Sequence, residues 1–362
     1  MSITILAGRI LLALLAVAVL ALVLLAWRFF SPISTPPFRD AAGARQAHSI
    51  AVAERWPING TRQSVIIRGR HDNDPILIWV HGGPGSSETP VLRQFNAELE
   101  EHFVVVYWDQ RYAGQSLDPF GPKPGKLTIQ QYVDDLSAVV ARLRERFHKD
   151  KVVLVAHSWG TVPAILYAQR RPETVAAYVG VGQVADVPES ERRSLAFALR
   201  EAHARGNTRA LAELERFAAR PRTGIDIYTP RQWLAEFGGA FHAKGMNYGA
   251  LAVRGARSSE ANWRDIVGFQ RGGAYAMGLI TGEMTEITFG RADFPIGVPV
   301  FLMSGRYDQQ SEASVAHDFF AHLQAPRKTF VWFDASAHNP PFEEPTRFNR
   351  YLIDNVRPLA GP

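Results

Sequence analysis

The hydrophobic and polar positions divide this chain of 362 residues into three kinds of sequence. An uninterrupted apolar run fills residues 10–27, and short apolar runs alternate with helical patterns from about residue 50 to 184 and again from 292. Between 185 and 291 the strand-like runs stop. The pattern predicts an N-terminal apolar helix, a domain of strands and helices, and a helical segment inserted into that domain.

Seven short apolar runs predict the strands of the domain. Most are continuously apolar rather than alternating, which is typical of strands buried on both faces of a parallel sheet. They lie at residues 64–69, 76–80, 103–107, 152–156, 178–182, 300–303 and 329–333. Apolar residues at helical spacing from Ile129 to Phe147, with Thr128 as an N-cap, predict a helix between two of them. This alternation predicts an α/β fold with a mostly parallel, doubly wound sheet.

The helical segment is rich in Ala, Arg, Glu and Gly. Insertions in α/β domains cover the carboxyl ends of the strands, where these proteins bind ligands, so we expect an α-helical lid. The predicted organisation is a membrane anchor at 1–30, a spacer at 31–45, core at 46–184, the lid at 185–291 and core again at 292–362.

The N-terminal run is long enough to cross a bilayer, since 18 helical residues span about 27 Å. Arg9 and Arg28 bracket the run, and Trp27 suits a membrane interface. The alternative is a cleaved signal peptide, but the small-x-small match at Ala42-Gly43-Ala44 lies far beyond the run. We expect an uncleaved single-pass anchor with the orientation left open, because the flanking arginines are nearly balanced. "SPISTPP" (31–37) predicts an extended spacer.

Composition narrows the classes of function. Hydrophobic residues make up 46% and charged residues 21%, as in a globular domain with a sizeable core. The net charge of +5 comes without a block of like charges, so no nucleic-acid partner is expected. The absence of cysteine excludes disulfides and thiolate metal sites. No H-E-x-x-H or comparable ligand cluster occurs, and we expect neither a metal nor a cofactor.

The sharpest chemical motif is "LVAHSWGTVPA" (154–164), where Ser158 stands between a predicted strand and a helical pattern. Ala156 and Gly160 flank it at the two positions where a strained strand-to-helix elbow needs small residues. A serine at an ordinary helix N-cap is the alternative. The placement favours Ser158 as a nucleophile.

A serine nucleophile needs a base, and the base needs an acid that orients it. On an elbow of this kind the acid follows a late strand and the histidine follows the last strand. Asp308 and His338 occupy those positions. Asp334 also follows the last strand, but it lies too near His338 in sequence to occupy the separate late-strand position of the acid. His157 is expected to point away from the site.

The loop "HGGPG" (81–85) follows an early strand. The chemistry of a serine nucleophile gives a reason for its glycines. A tetrahedral intermediate needs two backbone N–H donors, one after the nucleophile and one from an earlier loop. Trp159 and Gly83 are the expected donors. For His81 at the start of the loop, hydrogen bonding within the turn is favoured over catalysis.

Together, "HGGPGSSE", "VVVYWDQRYAGQS" (104–116), "VAHSWG" and "SGRYD" resemble the proline iminopeptidase group of α/β-hydrolases, serine peptidase family S33. The resemblance covers roughly residues 50–185 and 292–350. It implies Ser158, Asp308 and His338 as a catalytic triad, with Gly83 and Trp159 at the oxyanion hole. It also places Asp109 and Arg111 near the site, where structural roles are favoured.

The resemblance further implies an aminopeptidase that binds the free amine of short peptides through lid carboxylates. The family's tryptophan–glutamate helix is absent, and "NWRDIVGFQ" (262–270) offers Asp265 instead. The lid acids are Glu189, Glu191, Glu201, Glu213, Glu215, Glu236, Glu260, Glu283 and Glu286. The alternative is an esterase or amidase for neutral acyl substrates, with a lid pocket lined by aromatics that could equally form the lid core. Those aromatics are Trp233, Phe237, Trp263 and Phe269.

Overall fold

The computed structural model describes residues 3–118, 121, 125–219 and 228–361. Side chains are described in these ranges except at residues 3, 4, 6, 28, 30, 228, 229, 263, 264 and 266–270. Ten strands are present in these ranges: β1 (Ile50–Ile58), β2 (Thr61–Gly69), β3 (Ile76–Val80), β4 (Val104–Trp108), β5 (Val152–His157), β6 (Val175–Val181), β7 (Phe294–Pro295), β8 (Val300–Gly305), β9 (Leu323–Gln324) and β10 (Lys328–Phe333).

Eight of these strands form one sheet in the order β1-β2-β4-β3-β5-β6-β8-β10. The six strands from β4 to β10 run parallel, and β1 and β2 extend the sheet with antiparallel pairings. The predicted mostly parallel α/β sheet and its seven strands are confirmed. β1 was not predicted, because its half-buried sequence "IAVAERWPI" mixes apolar residues with charged ones.

The continuous apolarity of the parallel strands follows from burial on both faces. In β5, Val152, Leu154 and Ala156 pack in the core on one face of the sheet, whereas Val153 and Val155 pack in the core on the other. Alternate residues of a strand point to opposite faces, so both sets must be apolar when both faces are covered.

Twelve α-helices lie in the described ranges, and half of them cover the two faces of the sheet. They are α1 (Ile3–Phe30), α2 (Thr89–Asn96), α3 (Ile129–Phe147), α4 (Thr161–Arg170), α5 (Val187–Ala204), α6 (Thr208–Ala218), α7 (Tyr228–Glu236), α8 (Tyr248–Gly255), α9 (Trp263–Thr285), α10 (Ala313–His322), α11 (Pro340–Glu343) and α12 (Pro345–Tyr351). α3 has the predicted bounds, and Thr128 caps it in a reciprocal capping box with Gln131.

Helices α5 to α9 form a helical insertion, residues 187–285, between β6 and β8. Part of it has its own apolar core, in which the rings of Trp233 and Phe237 stack at 5.7 Å and pack with Leu195 and Leu214. These two aromatics therefore serve as internal core. The side chains of Trp263 and Phe269 lie outside the described residues.

Helix α1 stands apart from the core. Its segment Ala7–Trp27 has a mean hydropathy of 3.1 and is not buried by the rest of the protein. By length and composition it could cross a membrane, a property that it shares with signal sequences.

Candidate active site

Ser158 sits at a sharp turn between β5 and α4. Its φ of +52° is in the left-handed region, which a residue other than glycine adopts only under local constraint. The constraint comes from close packing: a Cβ on Gly160 would lie 2.1 Å from the carbonyl oxygen of Val80. A glycine at 160 thus lets the turn lie against the end of β3. The small residue is needed for contact with that neighbouring strand.

Asp308 and His338 come together from the loops that follow β8 and β10. The His338 Nδ1 donates to Asp308 Oδ2 at 2.9 Å, and both side chains are fully buried. The backbone N–H groups of Gln310 and Ser311 donate to the other oxygen of Asp308 at 2.8 and 3.1 Å. The carboxylate therefore fixes the tautomer of the imidazole, with the proton on Nδ1.

Burial alone would raise the pKa of Asp308. The imidazole of His338 and the two backbone N–H donors outweigh burial and hold the pKa below its usual value. Asp308 is thus an ionised, oriented partner for His338. Such a carboxylate can stabilise an imidazolium when His338 takes up a proton.

The other ring nitrogen of His338, Nε2, is buried and has no hydrogen-bond partner among the described residues. A buried acceptor without a donor is uncommon, and the predicted role of His338 as a base requires this nitrogen to be free. Ser158 therefore makes no hydrogen bond to His338 Nε2 in this structure. In enzymes without substrate, the bond between nucleophile and base often forms well only in the complex.

The glycine loop lies directly against the elbow. A Cβ on Gly82 would lie 3.2 Å from the Cβ of Ser158, so a side chain at this position would crowd the candidate nucleophile. Gly83 is the next residue of this loop, and the backbone N–H of Trp159 follows Ser158 on the elbow. Their predicted role as oxyanion donors stays a prediction.

Neighbouring polar residues hold the loop in place. His81 Nε2 accepts from the backbone N–H of Gln110 at 3.0 Å, so its Nδ1 carries the proton and donates to the carbonyl of Gly82 at 2.8 Å. Asp109 accepts from the hydroxyls of Ser87 and Thr89 at 2.5 and 2.6 Å. His81 and Asp109 therefore hydrogen-bond within the turn.

Arg111 also has a structural contact. It forms a bidentate pair with the buried Asp135 of α3, with N–O distances of 2.6 and 2.7 Å. The pair holds the segment after β4 against α3.

Sequence reasoning missed a second buried pair beneath the elbow. His157 Nδ1 donates to Glu88 Oε1 at 2.5 Å, and its Nε2 donates to the main-chain oxygen of His338 at 3.0 Å. Both partners are acceptors, so both ring nitrogens carry protons and His157 is a cation. Glu88 also accepts from the indole of Trp79 at 2.8 Å.

The electrostatics of this pair agree with a buried ion pair. Burial would lower the pKa of His157, but the Glu88 carboxylate outweighs burial and raises it. Burial would raise the pKa of Glu88, and His157 outweighs burial and lowers it. The pair connects the segment after the glycine loop, the elbow and the backbone of His338. The ring of His157 lies 5.0 Å from the ring of His338, so His157 packs against the candidate base, although it was expected to point away from the site. The glutamate of "HGGPGSSE" was the one available signal for its partner.

The helical insertion contacts both halves of the site. After α7, the carbonyl of Ala240 accepts from the backbone N–H of His338 at 3.2 Å, and that of Gly239 accepts from Gln309 at 2.9 Å. On α9, a Cβ on Gly272 would lie 2.8 Å from the carbonyl oxygen of Gly85 in the glycine loop. The insertion therefore packs directly on the loops that carry the candidate residues.

Most predicted amine-binding acids are engaged elsewhere. Glu189, Glu201 and Glu213 pair with arginines of their own helices, and Glu283 accepts from the start of α3. Glu260 is buried against Thr35. The side chains of three others are exposed: Glu215, Glu236 and Glu286.

Two acids of the insertion lie nearer to the site loops. Glu191 accepts from Arg231 at 2.6 Å, and Arg231 also donates to the carbonyl of Gln310, two residues after Asp308, at 2.8 Å. Asp265 is buried and accepts from the backbone N–H of Asn262 and the side chain of Gln115. The structure thus connects Glu191 with the Asp308 loop, where its charge is balanced by Arg231.

Comparisons with known proteins agree with this architecture. The family profile described as the alpha/beta hydrolase fold matches residues 75–345. The probable aminopeptidase YbaC of Bacillus subtilis is 30% identical over 312 residues, covering 85% of this chain and 97% of that protein. A proline iminopeptidase of Heyndrickxia coagulans is 24% identical over 77% of this chain and 89% of its own length.

A solved structure of a membrane phospholipase A shares the fold along the whole chain. It superposes with a TM-score of 0.56 at 17% identity and covers 99% of each chain.

Proposed function

Because the chain belongs to the α/β-hydrolase family, we propose that this serine hydrolase is an aminopeptidase of proline iminopeptidase type that releases N-terminal residues from short peptides. The observation that carries the proposal is the similarity to the Bacillus subtilis probable aminopeptidase, which extends over nearly its whole length. The name of the Heyndrickxia coagulans relative supports the preference for proline. We also propose that α1 anchors the enzyme in a membrane as a single span.

The proposed mechanism is acyl transfer through Ser158, His338 and Asp308. His338 Nε2 takes the hydroxyl proton as Ser158 attacks the carbonyl carbon, and the imidazolium gives that proton to the departing amine as the C–N bond breaks. The N–H groups of Gly83 and Trp159 stabilise the oxyanion. Water, deprotonated by His338, then cleaves the acyl-enzyme and regenerates the serine.

Recognition of a free amine is assigned to Glu191 in this proposal. A buried ammonium needs a carboxylate partner, and Glu191 is tied through Arg231 to the loop of Asp308. A peptide amine would share this carboxylate with the arginine.

The same ion pair favours a second candidate function. If Arg231 fully neutralises Glu191, the site presents no net negative charge from this acid and suits neutral acyl substrates. The protein would then be an esterase or amidase with the same triad.

The test uses the full chain in detergent and compares kcat/KM on a prolyl arylamide, its N-acetylated form and a short-chain aryl ester. An aminopeptidase prefers the free amine strongly. Glu191→Gln should then lower kcat/KM on the free amine by roughly tenfold or more and leave the ester unchanged. Glu201→Gln, which removes a similar pair between Glu201 of α5 and Arg205 at the end of that helix, is the matched control. Efficient ester cleavage with no advantage for the free amine would establish the second function instead.

A further inference from the structure

The insertion is joined to the chain at the point where α1 ends. The side-chain amide of Asn262 donates to the carbonyl of Ser31 at 2.8 Å, and the backbone N–H of Ser34 donates to the carbonyl of Ser259 at 3.0 Å. Ser31 directly follows the last residue of α1. The loop between α8 and α9, residues 256–262, therefore lies beside the end of the proposed membrane span. We call this loop the insertion tip.

The next residues of the spacer bond to the insertion tip again and also to the sheet. Thr35 donates to the buried Glu260 at 2.5 Å, and Arg68 of β2 donates to the carbonyl of Pro36 at 2.6 Å. Arg68 in turn forms a buried ion pair with Glu100 at 2.8 Å. A spacer held from its first residue cannot act as a long flexible tether. The domain must sit with its insertion tip close to the bilayer surface.

Helix α9 connects the insertion tip with the candidate active site. It begins at Trp263 and reaches the glycine loop at Gly272. At a rise of 1.5 Å per residue, this stretch of helix spans only about 15 Å. The insertion tip and the candidate active site therefore lie at the two ends of one short stretch of α9.

The surface next to the insertion tip is basic and partly apolar. Residues 242–259 contain Lys244, Arg254 and Arg257 but no Asp or Glu. Arg254 and Arg257 line a surface groove of about 580 Å³ together with Val253, whose side chain is 55% exposed. Arg257 is two residues from Ser259, the residue that bonds to the spacer. We call these three groove residues the basic face.

We propose that the basic face binds the phosphate groups of anionic phospholipids in the membrane that α1 spans. This inference rests on the proposed membrane anchor and is independent of the substrate. Cationic side chains near an anionic leaflet are attracted to it, and an exposed valine between them can enter the headgroup region. Because the basic face is joined through Ser259 to the spacer at the end of α1, it lies at the level of the lipid headgroups. The active site would then open close to the bilayer surface.

The absence of cysteine makes a direct test available. Single cysteines replace Val253, Val17 in α1, or Lys151, which is exposed directly before β5. Each full-length variant carries a fluorophore on its cysteine and is reconstituted into phosphatidylcholine vesicles with or without phosphatidylglycerol. Lipids with spin labels in the headgroup or in the acyl chain quench fluorophores that they touch.

We expect headgroup quenching at position 253 that exceeds the quenching at 151 and increases with phosphatidylglycerol. The double variant Arg254→Glu/Arg257→Glu should remove this increase, since each arginine near an anionic surface contributes about a fivefold factor to binding. The matched double variant Lys151→Glu/Arg350→Glu, assayed with the fluorophore at 253, should keep it. Hydrolysis of a soluble substrate should change less than twofold in either double variant.

Two results overturn the inference. Acyl-chain quenching at position 17 combined with background quenching at 253 would show an anchored protein whose basic face is away from lipid. Quenching at 253 that does not respond to phosphatidylglycerol or to charge reversal would rule out recognition of anionic headgroups. Absence of quenching at position 17 would refute the anchor itself, and with it this inference, while the hydrolase proposal would stand.

Discussion

The carboxyl edge of the sheet and the helical insertion use charged residues in different ways. At the sheet edge, Asp308 is fully buried and bonded to His338 and to backbone N–H groups. In the insertion, acids such as Glu201 pair with arginines of the same helix at the surface. Parallel strands bring distant residues to one edge whatever covers them. The comparison teaches that sheet topology brings the candidate catalytic groups together, whereas acids of the insertion such as Glu201 pair locally with nearby arginines.

The largest expected effect comes from removing the proposed nucleophile at the sheet edge. Ser158→Ala should lower kcat by about 10⁴-fold or more, because the groups of a triad act as a unit. The circular dichroism spectrum and the unfolding midpoint should be preserved. Ser137→Ala on α3 is the matched control and should retain full activity. Substantial turnover by Ser158→Ala would show that another residue is the nucleophile.

A smaller effect is expected from the buried pair beneath the elbow. Glu88→Gln leaves His157 without its counter-charge and should lower the free energy of unfolding by about 3–5 kcal/mol. Glu54→Gln, which removes a half-exposed pair with Arg146, should cost less than about 1 kcal/mol. Denaturant titrations of the three proteins at pH 6 measure the difference.

The pH dependence of that difference identifies the pair as ionic. The raised pKa of His157 gives a stabilisation that is complete below the usual value of 6.5 and lost as pH rises through the folded-state pKa. The lowered pKa of Glu88 gives a stabilisation that is present above the usual value of 4.5 and is lost as pH falls through the folded-state pKa. The difference in the free energy of unfolding between wild type and Glu88→Gln should therefore be largest between pH 4.5 and 6.5. It should decrease at alkaline pH. A difference that is constant with pH would contradict the ionic assignment.

The smallest effect concerns the contact between the insertion and the sheet edge. A Cβ on Gly272 would lie 2.3 Å from the carbonyl oxygen of Tyr112, so Gly272→Ala must push α9 away and should cost about 1–3 kcal/mol. A Cβ on Gly282 of the same helix meets nothing within 4 Å, and Gly282→Ala should stabilise by up to about 1 kcal/mol. Thermal unfolding and kcat/KM of both variants measure the effect. Equal behaviour would show that α9 does not pack tightly on these loops.

The sequence predicted the parts of the protein that depend on strand order. The parallel strands, the helix from Ile129 to Phe147 and its Thr128 cap were all confirmed. Asp308 and His338 could be paired from sequence because each directly follows a strand in the order that an elbow serine requires. The structure brings these two together, whereas their catalytic role stays a prediction.

Contacts between distant segments could not be predicted in this way. The pairing of Glu88 with His157 joins a loop to a strand end across 69 positions, and no periodicity encodes such a contact. The roles of the insertion carboxylates could not be predicted either, because nothing in the sequence distinguishes Glu191 from Glu201. Only the fold shows that Glu191 is linked through Arg231 to the Asp308 loop. The spacer likewise reads as an extended linker, although Thr35 and Pro36 are fixed by buried partners.

The bound spacer decides where the chain can be shortened to obtain a water-soluble enzyme. A cut after Phe30 would remove the apolar helix and leave the bonds that join Ser31, Ser34, Thr35 and Pro36 to the domain in place. A cut after Pro37 would delete the hydroxyl and the carbonyl that Arg68 uses, and would open the cluster around Glu100 and Glu260 to solvent. The first seven residues after the helix are therefore part of the catalytic domain for the purposes of expression.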